Sequence, residues 1–513
     1  MTGFDIGTTQ CKVGRVDPTG KASIINNARG EPTTPSAIYL AELGEPLIGT
    51  DAVEQGFVDP ARYVSNFKLK LGTTESLVAG TSFMPTDATA TLIAALKKDA
   101  ENVLGIEITE AIATCPANFR DDAKQALLEA FERNGITIPL LLAEPSAAGM
   151  AYGVDKPGGG KTLLVYDFGG GTFDVSVLRV DGSQITVLAT EGVARLGGND
   201  INECLRQRVL EEVAAACGEM PTPQSDPLFF PDLAQRVEAA KISLGNRPEV
   251  PIVAGYKGRQ VIVKVTRDEF HKAIAPLVQQ SLDALDRAVA RAGRKKQQID
   301  RLLMVGGTSR LPVIQDKVAD HTGLVPRTDI DPEKAVAYGA ALASVTEMAR
   351  QGRTATLRGQ VIPSPDVFMR DVSAHDVGCC VVDTSSAKER LANAVIIPKN
   401  TPIPCQRTDR FYLQYEDQTA VQIEILQGEA DADRDDCLLI GEFVLENLPH
   451  ESKRTERIQV EYAIDANGMV TATGTDLVSG RQHTVSVDYK KGVRVQPSVM
   501  VQTGSGGSWP VAR

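Results

Sequence analysis

Three aspartates and three glycine turns carry the chemistry this sequence could do. Asp167 and Asp174 flank Gly169, Gly170, Gly171 and Thr172 within LLVYDFGGGTFDVSVL, residues 163–178. An apolar run enters the turn, and Phe173, Val175 and Val177 alternate with Asp174 and Ser176 after it. The turn therefore joins two strands, the second with the period of a half-buried strand. Residues without a Cβ let backbone N–H groups come close to an anion, and Thr172 adds a hydroxyl donor. Carboxylates repel phosphate, so two acids beside such a loop make sense with a hard cation between them. Mg²⁺ keeps its waters and takes few protein carboxylates. A tight hairpin with a solvated acid at each end would use the same residues.

The pattern recurs. In GFDIGTT, residues 3–9, Asp5 precedes Gly7, Thr8 and Thr9, and strand-like CKVGRV follows. In LLMVGGTSRLP, residues 302–312, an apolar strand runs into Gly306 and Gly307, and helix-like VIQDKVADHTG comes next. Two Asp-x-Gly hairpins far apart in the chain predict two similar lobes closing on one nucleotide. No GK[ST] follows the glycines, and strands follow the first two turns, so these are not Walker loops.

The elements that must position these turns follow from pattern and composition. A chain of 513 residues suggests two or three domains with ample core. A net charge of −12 argues against nucleic acid or an anionic membrane as the main partner. None of the eight cysteines forms a C-x-x-C pair, so neither zinc nor a thioredoxin-like site is indicated. Vicinal Cys379 and Cys380 read as small core residues, with a redox role as the alternative. The chain enters a strand at once, with no basic-then-apolar leader and no apolar run of spanning length, so a cytoplasmic location is expected. Helices are predicted over Thr86–Leu104, Arg120–Asn134 and SAAGMAYG at 146–153, and most of 197–250 is expected to be helical. Small residues in SAAGMAYG permit close packing. Residues 350–365 are polar with prolines and read as a linker. Beyond them only β patterns occur. Val421, Ile423 and Ile425 alternate with polar residues, as do Ile458, Val460 and Tyr462, and Asn467–Gly468 marks a hairpin. These predict an antiparallel β-sandwich. The closing TGSGGSWPVAR has the composition of a flexible tail.

Taken together, GFDIGTTQ, TTPS at 33–36, LIG at 47–49, CPANF at 115–119, AEPSAAGMAYG at 143–153, YDFGGGTFDVSVL, LGGND at 196–200, VGGTSRLP, AVAYGAA at 335–341 and IDANGMVTATG at 464–474 occur in this order. The chain resembles the heat-shock 70-kDa chaperone family of the DnaK type over about residues 1–490. Sugar kinases and actins share the lobed fold without the AEPSAAGMAYG stretch or the downstream β segment. The resemblance implies an α/β actin-like two-lobed ATPase domain at 1–349, an interdomain linker at 350–371, an all-β sandwich that binds substrate at 372–491, and a tail at 492–513. It also implies ATP or ADP with Mg²⁺, and K⁺ as a further ion. Asp5 and Asp167 would hold the hydrated metal ion. Thr8, Thr9, Gly170, Gly171 and Thr172 would cradle phosphates, and Asp5, Gly7, Gly169, Gly197 and Gly198 would also bind the nucleotide. Lys68, Glu144, Asp167, Thr172 and Asp174 would carry catalysis, with Lys68, Glu144 and Asp174 orienting the attacking water. Glu238, Lys241, Gly306, Gly307 and Arg310 would rim the adenosine, and Phe411, Val421 and Ile423 would line a peptide pocket.

Each of these has a plain structural alternative. Lys68 alone is a solvated surface lysine, Glu144 a helix-N-terminal acid favoured by the macrodipole, and Glu238 with Lys241 an i,i+3 ion pair. Phe411, Val421 and Ile423 are equally sandwich core.

Departures from the family pattern matter too. The stretch between Gly72 and Pro85 is short, Leu140 stands where the family has an arginine, and Gly245 stands where it usually has a serine. The expected partners are therefore unfolded or extended polypeptides, with weakened engagement of a J-domain co-chaperone and a nucleotide-exchange factor, and neither nucleic acid nor membrane. In the linker DVFMRD, a docked form is expected to bury Val367, Phe368 and Met369, with Arg370 where leucine is usual. No counterpart of the family's helical lid follows Lys491, so fast peptide exchange is expected. The reading is an ATP-hydrolysing chaperone of protein folding and stress response. Its alternatives are an ATP-binding interaction module with little turnover and a small-molecule kinase of the same fold.

Overall fold

The computed structural model describes residues 2–153, 160–223, 225–327, 330–365, 367–383, 389–415, 417–450, 455–486 and 500–502. Contacts divide the chain into two compact units: Met1–Phe119 with Ala126–Met369, and Arg120–Gln125 with Arg370–Arg513.

The first unit holds two sheets built to one plan. In the first, the strands lie in the order Ala22–Ile25, Gln10–Val16, Thr2–Ile6, Ile112–Cys115, Leu141–Ala143. In the second, the order is Gln184–Val193, Phe173–Asp181, Lys161–Phe168, Arg301–Val305, Pro326–Arg327. Each begins as an antiparallel meander and continues as two parallel strands. The duplication read from the two Asp-x-Gly turns is thus a duplication of whole sheets.

Hairpin register does the positioning. Residues equidistant from a tight turn face each other, which sets Asp5 opposite Lys12 and Asp167 opposite Asp174. One point differs from the sequence reading. Phe173–Asp181 is buried on both faces along most of its length, with Asp174 and Ser176 each only 1% exposed. Its apolar residues enter a large core, while the polar ones face other protein groups. The Ser176 hydroxyl donates to Thr190 Oγ1 at 2.9 Å, so its burial leaves no unpaired donor.

Two helices lock this arrangement. Glu144–Gly153 follows the last strand of the first sheet yet packs on Lys161–Phe168 and Phe173–Asp181. Ala335–Arg350 follows the last strand of the second sheet yet packs on Thr2–Ile6 and Gln10–Val16. The helices cross where a Cβ on Gly339 would stand 1.7 Å from the Ala147 carbonyl oxygen. Only glycine allows that approach, the close packing expected of SAAGMAYG.

The linker segment Phe368–Arg370 forms the edge strand beside Gln184–Val193, and the Phe368 N–H donates to Ser183 O at 2.8 Å. Val367 is buried as expected, but Phe368 is 49% exposed and Arg370 is exposed. An edge strand turns alternate side chains outward, so this docking buries no unpaired charge.

Besides the start of the helix Asp121–Glu132 and the 3-10 turn Arg434–Asp436, the regular elements of the second unit are β-strands among the described residues. Leu438–Glu446, Ala420–Gln427, Val377–Asp383 and Arg390–Ile397 form one antiparallel set, and Cys405–Leu413, Ile458–Ile464, Val470–Asp476 and Gln482–Ser486 another. Inward residues of both sets share one core, including Val377, Cys379, Val381, Ile425, Val460 and Tyr462. Cys379 and Cys380 are both buried thiols. The Arg457 guanidinium and the Asp476 carboxylate pair inside this unit at 2.7 and 3.2 Å, 3% and 0% exposed.

The closing stretch departs from expectation. Met500–Gln502 is a strand between Val377–Asp383 and Cys405–Leu413, not free tail. Pairing with a strand on each side outweighs the loop-like composition around it. The rest of 492–513 lies outside the described residues.

Candidate functional site

A cleft of about 990 Å³ opens in the first unit between its two sheets, and both Asp-bearing turns line it. Asp5, Glu144 and Asp167 line it, and Asp174, outside the lining, is close enough for its charge to act on Asp167. Asp5 and Asp167 are each 6% exposed, Asp174 1% and Glu144 9%. Two ammonium groups answer them. Lys68 Nζ donates to Glu144 Oε1 at 2.7 Å, and Lys12 Nζ lies 3.8 Å from Asp5 Oδ2. Lys68 is 2% exposed, so the solvated-surface alternative for it falls.

The surplus of acid shows in the ionisation of the cluster. Burial, then the charges of Glu144, Asp174 and Asp5, push Asp167 well above the usual carboxylate range. Burial and the Glu144 charge lift Asp174 to about 7, against the pull of the Asn118 N–H at 3.3 Å. Burial raises Glu144, with Lys68 opposing. For Lys68, burial works against the charged form, but the charge and hydrogen bond of Glu144 outweigh it and hold the ammonium.

Four acids against two lysines leave room for a divalent cation to relieve the repulsion. Among the described residues no three His, Cys, Asp or Glu side chains are grouped closely enough to bind a metal outright. Both observations suit an ion that keeps most of its water and takes few carboxylates, the habit of Mg²⁺.

The glycine turns meet face to face. A Cβ on Gly170 would stand 2.7 Å from Thr9 Oγ1, and one on Gly171 would stand 2.8 Å from Thr8 Cγ2. Gly7, Thr8, Thr9, Gly169, Gly170 and Thr172 all line the cleft. The N-terminus of the helix Gly198–Cys217 abuts the same loop: the Gly198 N–H donates to Gly169 O at 3.0 Å and the Asn199 N–H to Gly170 O at 2.8 Å. Gly198 lines the cleft, and Gly197 packs behind it against the Gly171 nitrogen. Backbone dipoles from two turns and a helix N-terminus therefore bound one cavity, an arrangement that favours a polyanion.

The far rim holds Glu238, Lys241, Gly306, Gly307 and Arg310. Lys241 Nζ donates to Glu238 Oε2 at 2.7 Å, so the ordinary ion pair exists and both residues still line the cleft. Gly306 has φ +83°, which favours glycine, and a Cβ there would stand 2.4 Å from Phe168 O. Arg310 pairs with Asp331, and its Nε lies 3.3 Å from Glu333 Oε1.

Phe411, Val421 and Ile423 stand elsewhere, in the second unit, each 0% exposed within the hydrophobic core. The structure brings all three together in this core, where a pocket floor and a plain core side chain alike would sit.

Residues outside the sequence-derived site complete it. Lys12 answers Asp5, Asn118 donates its N–H to Asp174, and the Thr308 hydroxyl donates to Gly169 O at 2.8 Å. Asn66 accepts from Asn199 Nδ2 at 2.9 Å and, at φ +56°, caps the short helix Phe67–Lys70 that carries Lys68. Lys12 was within reach of the sequence, since it mirrors Asp5 across the Gly7–Thr9 turn.

This pairing of duplicated sheets, glycine turns and a buried acid cluster belongs with the nucleotide-cleft proteins, and comparison with known sequences makes the assignment specific. The chain belongs to the Hsp70 family: the family model described as Hsp70 protein matches residues 1–79 and 72–500. It is of the DnaK type. It is 33% identical over 495 residues to the chaperone protein DnaK of Thermotoga neapolitana, covering 95% of this chain and 80% of that relative. The same identity and coverage hold for chaperone protein DnaK of Thermotoga petrophila and of Thermotoga maritima. Members of the family are ATP-dependent chaperones with ATPase activity that bind ATP or ADP with Mg²⁺. Among the described residues no helix is long and apolar enough to cross a membrane.

Proposed function

We propose that the first unit is an actin-like ATPase that binds ATP with Mg²⁺ and hydrolyses it, and that the second unit takes up extended segments of unfolded polypeptide. One observation carries this reading: the Lys68–Glu144 pair and the Asp5 and Asp167 carboxylates line a cleft walled by two glycine turns, with the buried Asp174 beside Asp167 in the hairpin register. Asp5 and Asp167 would hold the hydrated cation, which supplies charge neutralisation for the phosphates. The backbone N–H groups and the hydroxyls of Thr8, Thr9 and Thr172 bind and orient the phosphate chain. Glu144, fixed by Lys68, and Asp174 orient a water for in-line attack. The chemistry is positioning and electrostatics, with no covalent step on the protein.

The strand Phe368–Arg370, docked at the edge of the second sheet, is suited to pass a change in the first unit along the chain. Peptide would be held by strand addition, chiefly through backbone hydrogen bonds. J-domain and nucleotide-exchange partners, and K⁺ beside Mg²⁺, belong to the same proposal, as does a cytoplasmic location. The decisive experiment is single-turnover ATPase with and without an unfolded peptide. ADP formation that peptide accelerates is the expected result. ATP bound but never hydrolysed would leave an interaction module.

A further inference from the structure

Among the described residues, each strand set of the second unit has a segment that no strand of its own set covers. Val377–Asp383 pairs along its length with Arg390–Ile397 on one side. On its other side only Val377, Gly378 and Cys379 are covered, by Gln427, Leu426 and Ile425. Val381–Asp383 therefore has an edge that no strand of its own set reaches. Cys405–Leu413 likewise pairs residues Cys405–Phe411 with Ile458–Ile464 and leaves Tyr412 and Leu413 beyond that ladder. An open row of N–H and C=O groups is a template for another strand.

Met500–Gln502 occupies this slot. Met500, Val501 and Gln502 run parallel to Val381, Val382 and Asp383, while Val501 and Met500 run antiparallel to Tyr412 and Leu413. This strand joins the two sets into one continuous nine-stranded sheet. The segment has the chemistry of a strand-adding guest. Ser498-Val-Met-Val-Gln502 is uncharged and apolar at its centre, and Pro497 and Gly504 bracket it.

We propose that Met500–Gln502 is a resident occupant of a strand-shaped slot, and that an extended apolar peptide from another polypeptide enters only by displacing it. The proposal rests on the peptide-binding reading above and adds its regulation. Two features make the occupant replaceable. It pairs over three residues on one side and two on the other, whereas Cys405–Leu413 and Ile458–Ile464 pair over seven. Backbone pairing also tolerates sequence changes, so a foreign strand satisfies the same edges.

One further feature makes it competitive: the occupant belongs to the same chain as the slot, so its pairing needs no second molecule. The apparent affinity for a free peptide then falls by the fraction of chains whose slot is open. The chain would answer only to ligands that are abundant or that bind well beyond the three-residue slot.

The test compares the full chain with a chain ending at Gln496 and with the full-length Val501→Pro variant, which removes a backbone donor from the strand. Two readouts are taken: hydrogen exchange at Val381–Asp383 and Tyr412–Leu413, and anisotropy of a labelled peptide of residues 498–504. Both variants are expected to lose protection at those five residues and to bind the peptide at least tenfold more tightly than the full chain. Unchanged protection in both variants would overturn the proposal. Equal, saturable affinity for all three chains would overturn it too, while leaving peptide binding intact. Lost protection with no saturable peptide binding would support self-occupancy and refute the peptide-binding reading.

Discussion

Replacing Lys68 by alanine tests the cleft most directly, because the residue is both buried and paired. At 2.7 Å from Glu144 and an effective dielectric of about 20, the Coulombic attraction is about 6 kcal/mol. Removal also relieves the desolvation of the ammonium, which leaves a net loss of roughly 3–5 kcal/mol, the range for a broken buried pair. In a unit of this size that is about 4–7 °C in Tm. The loss depends on pH with a definite sign. Without Lys68, only the weaker pull of Lys12 opposes the burial that already raises Glu144, so the carboxyl takes a proton more readily. A raised carboxylate pKa means stability that is present at low pH and lost as pH rises through the folded value. The Tm deficit of Lys68→Ala should therefore be largest at pH 8 and shrink toward pH 5. Turnover should fall by ~10²–10³, as for loss of one positioned electrostatic group. ADP affinity should hold, since the glycine turns do not need the lysine. Scanning fluorimetry across pH, with single-turnover ATPase, gives all three numbers. A Tm unchanged at pH 8 together with unchanged turnover would refute the reasoning.

Other expectations follow from single features. Asp174 is lifted to about 7, so its burial costs stability increasingly as pH rises from about 4 to 7. Asp174→Asn should stabilise the ligand-free chain at pH 8, by at most about 4 kcal/mol, and slow hydrolysis; a less stable variant at pH 8 in urea titration would contradict this. Gly339→Ala places a Cβ 1.7 Å from Ala147 O and should cost at least 1–3 kcal/mol, whereas Gly255→Ala, with open space around it, should be near neutral. Equal midpoints for the two in guanidinium would argue against the helix crossing. Asp476 is depressed to about 2 with its Arg457 partner beside it, so its contribution exists above about pH 4 and fades toward pH 2. Asp476→Asn should destabilise the second unit by about 3–5 kcal/mol at pH 7, and the gap should close in acid, as read by circular dichroism.

Local pattern carried much of the architecture. The turns at Gly7 and Gly169–Gly171 are visible because glycine and threonine interrupt strong apolar runs, and the doubled motif announced a doubled sheet. What the sequence hid was mostly non-local. Asn118 reaches Asp174 from a distant loop, and no spacing rule connects them. The alternation after the second turn suggested one wet face, but Asp174 and Ser176 face protein on that side. Phe411, Val421 and Ile423 show why pocket and core are hard to separate in β proteins: either use demands an apolar residue pointing inward, and burial in one cluster suits both. The Met500–Gln502 strand is too short to stand out from its surroundings, and its partners lie far back in the chain.

The exchanged helices have a consequence for how the chain comes to be folded. The first sheet receives its cover from Ala335–Arg350, and Gly14 marks how tight the seal is, with its Cβ position 2.4 Å from Ala337 O. During synthesis that face must wait until almost the whole first unit has emerged, since its strands begin at Thr2. Contacts of such long sequence separation are entropically expensive to close and slow folding. A nascent first lobe therefore carries an uncovered apolar sheet for most of its translation, the sort of surface that aggregates or recruits helpers. On the proposed activity, a protein that shelters unfinished chains passes through the same exposed stage before the helix Ala335–Arg350 is in place.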